Sequence, residues 1–369
     1  MIPYFLLLLI PLSLQEWLKS SNKTLCIRKN RCLTGENIAL PAFLFLFSAM
    51  LILRDKSLGR DLTNYNYIFN IWGNATLSSV FSQYSECLFK FYCWFIYNYI
   101  SSNYQVFISL TAFITVVPIA FVYNQDKTHG YVKASIFVNM STFIMLFSGI
   151  RQGLAISVGA LAYYFVSKSK FFRYAICVII ASLLHHTGFM TLFFLPLCKI
   201  KFKKKDLIWI IASFSVVFVF RKNIFNVLVN ILGSSDERYS ATAESTGAFG
   251  SLILFSLFTV LCFVIVDESR ADDETLMLRN ILVFATIFQT FASVNTLAMR
   301  MNYYFIILIP ITIGKCLNCM EREKEEIARL SETIMSIFFT ALFMYSIYES
   351  YITGISTLDT VPYITFWKE

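Results

Sequence analysis

The chain has few charged residues, and this scarcity limits what kind of protein it can be. Of its 369 residues, 15% are charged and 57% are hydrophobic, whereas soluble domains carry about 25% charged residues. A soluble globular domain is therefore excluded. The apolar runs are continuous and lack the alternation of apolar and polar residues that marks membrane-barrel strands of roughly ten residues. We therefore expect an all-α polytopic membrane protein.

Other signatures are also missing. No zinc-finger or RNP-like motif accompanies the net charge of +8, so we assign the positive charge to cytoplasmic loops and expect no nucleic-acid partner. The first apolar run lacks a basic n-region and a small-residue cleavage site, and we therefore expect a retained helix and not a signal peptide. Cys316 and Cys319 form a CxxC without a second pair of ligands, which we attribute to chance.

Continuous apolar stretches define the candidate membrane helices. We expect a single integral membrane domain over 1–369, a bundle of about 11–13 transmembrane or re-entrant helices. The run 172–199 is too long for one helix, and we place a break at the polar "HHTG" in its middle. The candidate segments are 2–18, 37–53, 86–100, 104–123, 132–149, 152–167, 172–186, 187–199, 207–221, 249–266, 279–297, 301–317 and 332–348.

Lysines and arginines in short loops predict the orientation, because they collect on the cytoplasmic side. The basic loop near 199–206 is then cytoplasmic, and long loops near 54–85 and 222–248 are on the outer, periplasmic side. Three candidate segments separate 54–85 from Arg151. An odd number of membrane crossings would place the two on opposite sides, so all three cannot cross if both lie outside. We therefore expect 86–100 to be interfacial or re-entrant. The aromatic spacing within 54–85 is typical of an amphipathic helix on the membrane surface.

Four arginines lie beside apolar segments on the predicted outer side: Arg54, Arg60, Arg151 and Arg300. One explanation is snorkelling, in which a basic side chain reaches lipid headgroups. The other is an anionic substrate, because guanidinium groups bind phosphate oxygens bidentately. The positive-inside rule disfavours arginine on the outer face, so their grouping there favours the substrate.

Histidine and carboxylate side chains are candidates for proton transfer. His185 and His186 are two of only three histidines, and histidine exchanges protons near neutral pH, although a polar pair can also simply mark a turn. Asp61 is the second candidate; alternatively it pairs with a neighbouring arginine or caps a helix. A metal site needs three or more ligands, and with no HExxH or DxD motif we expect none.

The order of these residues resembles the EpsG-like branch of the O-antigen polymerases, the Wzy proteins. The resemblance spans most of the chain, from Arg54 to "VPY" near the end. It depends on the order and spacing of several motifs and not on any one of them. These are "LR…G-x-D-x-x-x-Y" from Arg54 to Tyr65, a glutamate at a helix start (Glu86), "IRQGLA", "A-x-x-x-H" ending at His185, an "RY" in a large loop, and "R-x-x-x-Y" from Arg300 to Tyr304.

The resemblance implies a multi-pass glycosyltransferase of the bacterial inner membrane with a GT-C-like helical fold and no metal or cofactor. Such an enzyme transfers the growing glycan from undecaprenyl diphosphate to a new lipid-linked repeat unit at the periplasmic face. A flippase and a chain-length regulator of the same pathway are the implied partners. The alternatives are an O-antigen ligase or acyltransferase of similar topology, a flippase or exporter of the lipid-linked sugar, and a structural membrane protein.

The resemblance also implies roles for individual residues. Arg151 and Arg300 would bind the diphosphate, with Arg54 or Arg60 as a helper. His185 is the first candidate for the general base, and Asp61 is the second. The residues expected to contact sugars are Tyr65, Glu86, Tyr239 and Tyr304.

Overall fold

The computed structural model describes residues 1–21, 24–28, 31–82, 85–231, 248–269, 271–322 and 324–367. Within these ranges the chain is almost entirely α-helical, which confirms the predicted class. The exception is a small antiparallel hairpin of β1 (Leu25–Arg28) and β2 (Arg31–Leu33), which follows the first helix.

Seventeen α-helices account for most of the described residues. The first nine are α1 (Ile2–Ser21), α2 (Ala39–Leu53), α3 (Leu62–Gly73), α4 (Leu77–Ser82), α5 (Cys87–Tyr99), α6 (Tyr104–Tyr123), α7 (Gly130–Val138), α8 (Ser141–Ser148) and α9 (Ile150–Ser167). The others are α10 (Phe171–Leu184), α11 (Phe194–Lys199), α12 (Leu207–Ile231), α13 (Ala248–Ile265), α14 (Asp273–Gln289), α15 (Thr296–Ile306), α16 (Ile309–Glu321) and α17 (Glu325–Thr353). Short 3₁₀ turns cover His186–Phe193, Lys204–Asp206, Thr290–Ser293 and Thr357–Asp359.

Several of these helices are suited to crossing a membrane. Among the described residues, four helical stretches are long and apolar enough: Tyr104–Tyr123, Lys204–Val227, Asp273–Ser293 and Glu325–Thr353. The bent pairs α7–α8, at 64°, and α15–α16, at 42°, raise the number to six if each pair forms one span. Helices α2, α10 and α13 are apolar but shorter. The chain is therefore a polytopic helical membrane protein.

Comparison with the predicted segments shows agreement at one break and differences at others. The break at "HHTG" is confirmed, because α10 ends at Leu184 and a 3₁₀ turn begins at His186. The predicted segment 132–149 is wrong as a single helix, since it is divided between α7 and α8. The region 301–317 is likewise interrupted, because Pro310 lies at the first turn of α16 and cannot continue a preceding helix.

The two long predicted loops are partly helical. Residues 54–85 contain α3 and α4, and α3 buries an apolar face against α5. Helix α12 continues to Ile231, past its predicted end at 221; residues 232–247 lie outside the described residues. Helix α5 has 13 residues and at 1.5 Å per residue is about 20 Å long, shorter than the hydrocarbon core of about 30 Å. This length fits the expectation that 86–100 does not cross the membrane.

The centre of the bundle is formed by α6, α9 and α14. Within an apolar 18-residue stretch of each span, 83% of the residues are buried in Asp273–Ser293 and 50% in Tyr104–Tyr123, but only 6% in Lys204–Val227. Helix α9 packs against both α6 and α10, and α14 packs against α13 and α15. Helices α12 and α17 are peripheral, and their exposed apolar faces are suited to contact with lipid.

A cluster of phenylalanines fixes α8 relative to its neighbours. Phe43 and Phe47 of α2 contact Phe137 of α7 at ring-centroid distances of 5.6 and 5.4 Å. Phe47 also contacts Phe143 and Phe147 of α8, at 5.4 and 6.0 Å. All five rings are at most 1% exposed. Aromatic pairs at these distances add packing energy beyond area burial, so α8 provides a rigid base for the helix that follows it.

Candidate functional site

The elbow between α8 and α9 is the first part of the candidate site. Gly149 separates the two helices, and Arg151 is in the first turn of α9. The buried side chain of Arg54 supports this elbow from the end of α2. Its Nη1 donates hydrogen bonds to the carbonyl oxygens of Leu146 and Phe147, at 3.0 and 2.9 Å.

Gly59 and Asp61 complete the support of the elbow. Gly59 has a φ of 128°, and a Cβ atom at this position would lie 2.5 Å from the carbonyl oxygen of Phe147, so only glycine fits. The backbone N–H of Asp61 donates to Ser148 Oγ at 3.0 Å. The arginine, glycine and aspartate of the sequence motif therefore hold the backbone that presents Arg151.

Glu86 is the centre of a buried polar cluster. It precedes α5 in a left-handed conformation with a φ of 54°, and 9% of it is exposed. Its Oε2 accepts a hydrogen bond from Nη1 of Arg151. Its Oε1 lies 2.5 Å from Nδ1 of His185 and 3.1 Å from Nδ1 of His186. Three basic side chains from α9 and the end of α10 thus converge on one carboxylate, in a backbone conformation that costs free energy for a residue other than glycine.

The histidine turn is shaped by a close helix approach. The backbone N–H of His185 donates to the carbonyl of Ala181 and caps α10. Gly188 then packs so closely that a Cβ atom would lie 2.2 Å from the same carbonyl oxygen. The "HHTG" sequence therefore ends α10 and turns both imidazoles toward Glu86. The side chain of His185 is 7% exposed, whereas that of His186 is 49% exposed.

The electrostatics of the cluster favour an ionised glutamate and a neutral histidine. Burial by itself raises the pKa of Glu86, but the hydrogen bonds from His185 and His186 and the charge of Arg151 lower it well below its usual range. Burial lowers the pKa of His185, and this effect outweighs the opposite effect of the hydrogen bond to Glu86. At neutral pH the carboxylate is therefore charged and the imidazole is uncharged.

Helix α15 forms another side of the site. The carbonyl of Arg300 accepts a hydrogen bond from Nε2 of Gln152 at 2.7 Å, which ties it to the residue after Arg151. Tyr304 follows Arg300 by one helical turn and therefore lies on the same face of α15. Its hydroxyl is 3.2 Å from Oγ1 of Thr187, next to the histidines. The side chain of Arg300 is exposed.

Aromatic rings surround the guanidinium of Arg151. Its Cζ lies 5.9 Å from the ring centroid of Tyr65 and 5.8 Å from that of Phe89, distances at which a cation is attracted to a ring face. Lys90 lies one turn after Glu86 on α5, and its Nζ is 4.9 Å from the ring of Trp72. The charge of Lys90 therefore lies beside the cluster.

The structure thus separates the predicted site residues into two groups. It joins Arg151, Glu86 and His185 by direct contacts, and surrounding contacts join Tyr65, Tyr304 and the backbone of Arg300 to the same region. The carboxylate of Asp61 acts electrostatically on Tyr65. Tyr239 lies outside the described residues.

Arg54 and Arg60 belong to the second group. Arg54 is 2% exposed and is committed to backbone carbonyls. The exposed side chain of Arg60 forms an ion pair with Asp359, with Nε 3.3 Å from Oδ2. Arg54 is therefore buried away from a substrate in this structure, whereas Arg60 stays exposed. The expected role of Arg54 or Arg60 as a helper in diphosphate binding stays a prediction.

Three residues of the cluster also have the chemistry of metal ligands. Glu86, His185 and His186 each offer one ligand atom, and these atoms lie within 4.8 Å of one another. The sequence argument against metal was that no group of ligands has a recognised spacing. The folded chain brings together residues 99 and 100 positions apart, so that argument does not hold for this cluster.

Sequence reasoning missed two kinds of residue. Gln152 and Thr187 support the site through single hydrogen bonds, and Lys90 adds charge. The position of Lys90 one turn after Glu86 was visible in the sequence, because residues four apart share a helix face. Glu86 was expected to contact sugars, whereas its observed contacts are with the basic side chains of the site.

A cavity of about 970 Å³ lies elsewhere, between α1, α7, α16 and α17. Four glutamates line it: Glu16, Glu36, Glu321 and Glu332. Its lining residues also include Lys19, His129 and Arg329, but none of the cluster around Glu86. Carboxylates outnumber the lysine and arginine, so the cavity has the wrong charge for a diphosphate.

Comparisons with known proteins agree with the order of motifs. A family model described as the EpsG family matches residues 38–365. No curated protein and no solved structure gives a significant match. The matched range includes the elbow, Glu86, both histidines and α15.

Proposed function

The chain belongs to the EpsG family, a family of Wzy-like polysaccharide polymerases, and from this membership we propose that it polymerises lipid-linked repeat units of an O-antigen or related polysaccharide. The growing glycan leaves undecaprenyl diphosphate and is transferred to a hydroxyl of a new lipid-linked unit. We place this reaction at the periplasmic face of a bacterial inner membrane and assign it no metal requirement. The observation that carries the proposal is the buried cluster of Arg151, Glu86 and His185.

Arg151 is suited to binding the leaving group, the lipid diphosphate. When the glycosidic bond breaks, the lipid diphosphate gains negative charge, and a fixed guanidinium in a partly dehydrated site stabilises that charge. Arg151 is partly accessible, with 31% of its side chain exposed. A diphosphate oxygen would bind to the exposed part of this guanidinium, and Arg300 supplies a second exposed cation from α15.

His185 is suited to accepting the proton of the attacking sugar hydroxyl. If its Nδ1–H donates to the carboxylate of Glu86, its Nε2 carries a lone pair and accepts the proton of the sugar hydroxyl. The lowered pKa keeps the imidazole in this neutral form at pH 7. Glu86 then acts as a positioning residue, which fixes the tautomer of His185 and the orientation of Arg151. This assignment replaces its expected contact with sugars.

The test is the polysaccharide ladder of a deletion strain that carries wild-type or variant protein at matched membrane levels. We expect Arg151→Ala and His185→Ala to give a single capped repeat unit without a ladder. Arg173→Ala is the matched control, because this exposed arginine packs over the Phe165 ring and touches none of the cluster; it should keep the ladder.

Two outcomes would overturn the proposal. A normal ladder in both variants would mean that neither residue takes part in polymerisation. Loss of even the single capped unit would point to ligation or to export of the lipid-linked sugar, because a polymerase defect leaves one unit available for attachment.

A further inference from the structure

We infer that Glu86, His185 and His186 form a binding site for one transition-metal ion of the zinc class, and that the bound ion inhibits the enzyme. The binding part follows from the side chains alone, whereas the inhibition rests on the proposed function. This site differs from a resident metal cofactor, since the proposed transfer proceeds without it.

The ligand atoms are close to the arrangement that such an ion needs. Zinc binds nitrogen and carboxylate oxygen at about 2.0–2.2 Å in a tetrahedron, which separates the ligand atoms by about 3.3 Å. Nδ1 of His185 and Nδ1 of His186 lie 2.5 and 3.1 Å from Oε1 of Glu86. A rotation that moves these atoms apart by less than about 1 Å would admit the ion. Two imidazoles and one carboxylate leave the fourth position open to water.

The contact with Arg151 determines which oxygen of Glu86 is available. Its Nη1 binds Oε2, so Oε1 remains directed at both histidines. Carboxylates that bind metals are usually hydrogen-bonded through their other oxygen. The positive charge of Arg151 also repels a divalent ion, which favours weak, reversible occupancy. Imidazole ligands select zinc, cobalt, nickel or copper, and disfavour magnesium and calcium.

Metal binding and proton transfer require opposite states of His185. A neutral imidazole that binds a metal through Nδ1 carries its proton on Nε2. The atom that would accept the sugar proton is then already protonated. The ion also neutralises the negative charge of Glu86, which holds Arg151 in position. One bound ion therefore removes the base and loosens the diphosphate site.

The experiment is a titration of purified full-length protein in lipid nanodiscs with Co²⁺, followed by its visible d–d absorption. His186→Gln is the main variant, because this half-exposed side chain can change without disturbing the packed core. His129→Gln is the matched control, because it alters the one remaining histidine, which instead contacts Glu332. Thermal melting of both variants verifies that they are folded.

We expect wild type and His129→Gln to bind one Co²⁺ per chain with a tetrahedral spectrum. We expect His186→Gln to bind at least about tenfold more weakly. Equal binding by all three proteins, or a tetrahedral band in none of them, would overturn the site. Because the titration needs no turnover, it decides the metal site even if the proposed polymerase activity fails.

The inhibition has its own measurement. We expect micromolar Zn²⁺ to stop repeat-unit joining by wild type and EDTA to restore it, while Mg²⁺ has no effect. His186→Gln, compared with its own rate without metal, should need at least about tenfold more Zn²⁺. Unchanged sensitivity in this variant would show that inhibition arises elsewhere, and loss of activity in EDTA would instead make the ion a requirement.

Discussion

Replacement of Glu86 by glutamine is the most informative perturbation, because it keeps the shape and removes the charge. In wild type, Oε2 of Glu86 accepts from Arg151 and Oε1 faces Nδ1 of His185. Arginine can only donate, so the glutamine oxygen must face Arg151 and its NH₂ group must face His185. The amide then donates to Nδ1, and the proton of the imidazole moves to Nε2. This is the wrong tautomer for a base.

The expected loss follows from that tautomer. A positioned general base contributes about 10²–10⁴-fold to a rate, which corresponds to about 3–5 kcal/mol at 1.36 kcal/mol per tenfold. We expect Glu86→Gln to lower the rate of repeat-unit joining within this range. The ion pair with Arg151 is also lost; because 31% of the Arg151 side chain is exposed, we expect a loss of stability smaller than the cost of about 3–5 kcal/mol for a fully buried pair. The melting temperature must therefore be measured with the rate.

The assay is the initial rate with purified protein in liposomes and a lipid-linked repeat unit as substrate, normalised to folded protein. Glu36→Gln is the matched control, because that glutamate is exposed and lies outside the cluster. A rate for Glu86→Gln within about threefold of wild type would refute the tautomer argument, because it is far below the expected effect. His185 would then no longer be the base.

Three further predictions address pH, the histidine turn and the elbow. Because the pKa of His185 is lowered from 6.5, its imidazole is neutral at pH 7 and becomes protonated as the pH falls. The activity should therefore be constant above about pH 6.5 and decline at lower pH. An activity that rises in acid would contradict the assignment of His185 as the base. Gly188→Ala places a Cβ atom 2.2 Å from the Ala181 carbonyl oxygen, so we expect less folded protein in the membrane. Fluorescence-detected gel filtration measures this amount, and an elution profile like that of wild type would show that the turn can relax. Arg54→Ala removes two buried hydrogen bonds to the elbow and should destabilise the protein by about 3 kcal/mol, seen as a lower melting temperature; an unchanged melting temperature together with lost activity would return Arg54 to the substrate site.

The membrane class and much of the segmentation could be predicted from the sequence. Long apolar runs can satisfy their backbone polar groups only as helices in a bilayer, so composition alone excluded a soluble protein. The break at "HHTG" was also predictable, because adjacent polar residues and a glycine interrupt an apolar run locally. The bend between α7 and α8 was missed, although three polar residues, Asn139, Ser141 and Thr142, interrupt the apolar run there. Asparagine, serine and threonine also occur inside membrane helices, where they bond to neighbouring helices, so their presence alone does not specify a break.

The candidate site was predictable only in part. Residue chemistry and the family pattern identified Arg151, His185 and Glu86, but not their relation to one another. Arg54 and Arg151 look equivalent in the sequence, yet one binds backbone carbonyls and the other faces a carboxylate. Side-chain chemistry and local hydropathy are properties of single residues and short stretches. The sequence by itself therefore determined the helical membrane class and which polar residues are candidates for the site. Which groups meet depends on how helices 65 to 100 residues apart pack, and that was decided only by the tertiary structure.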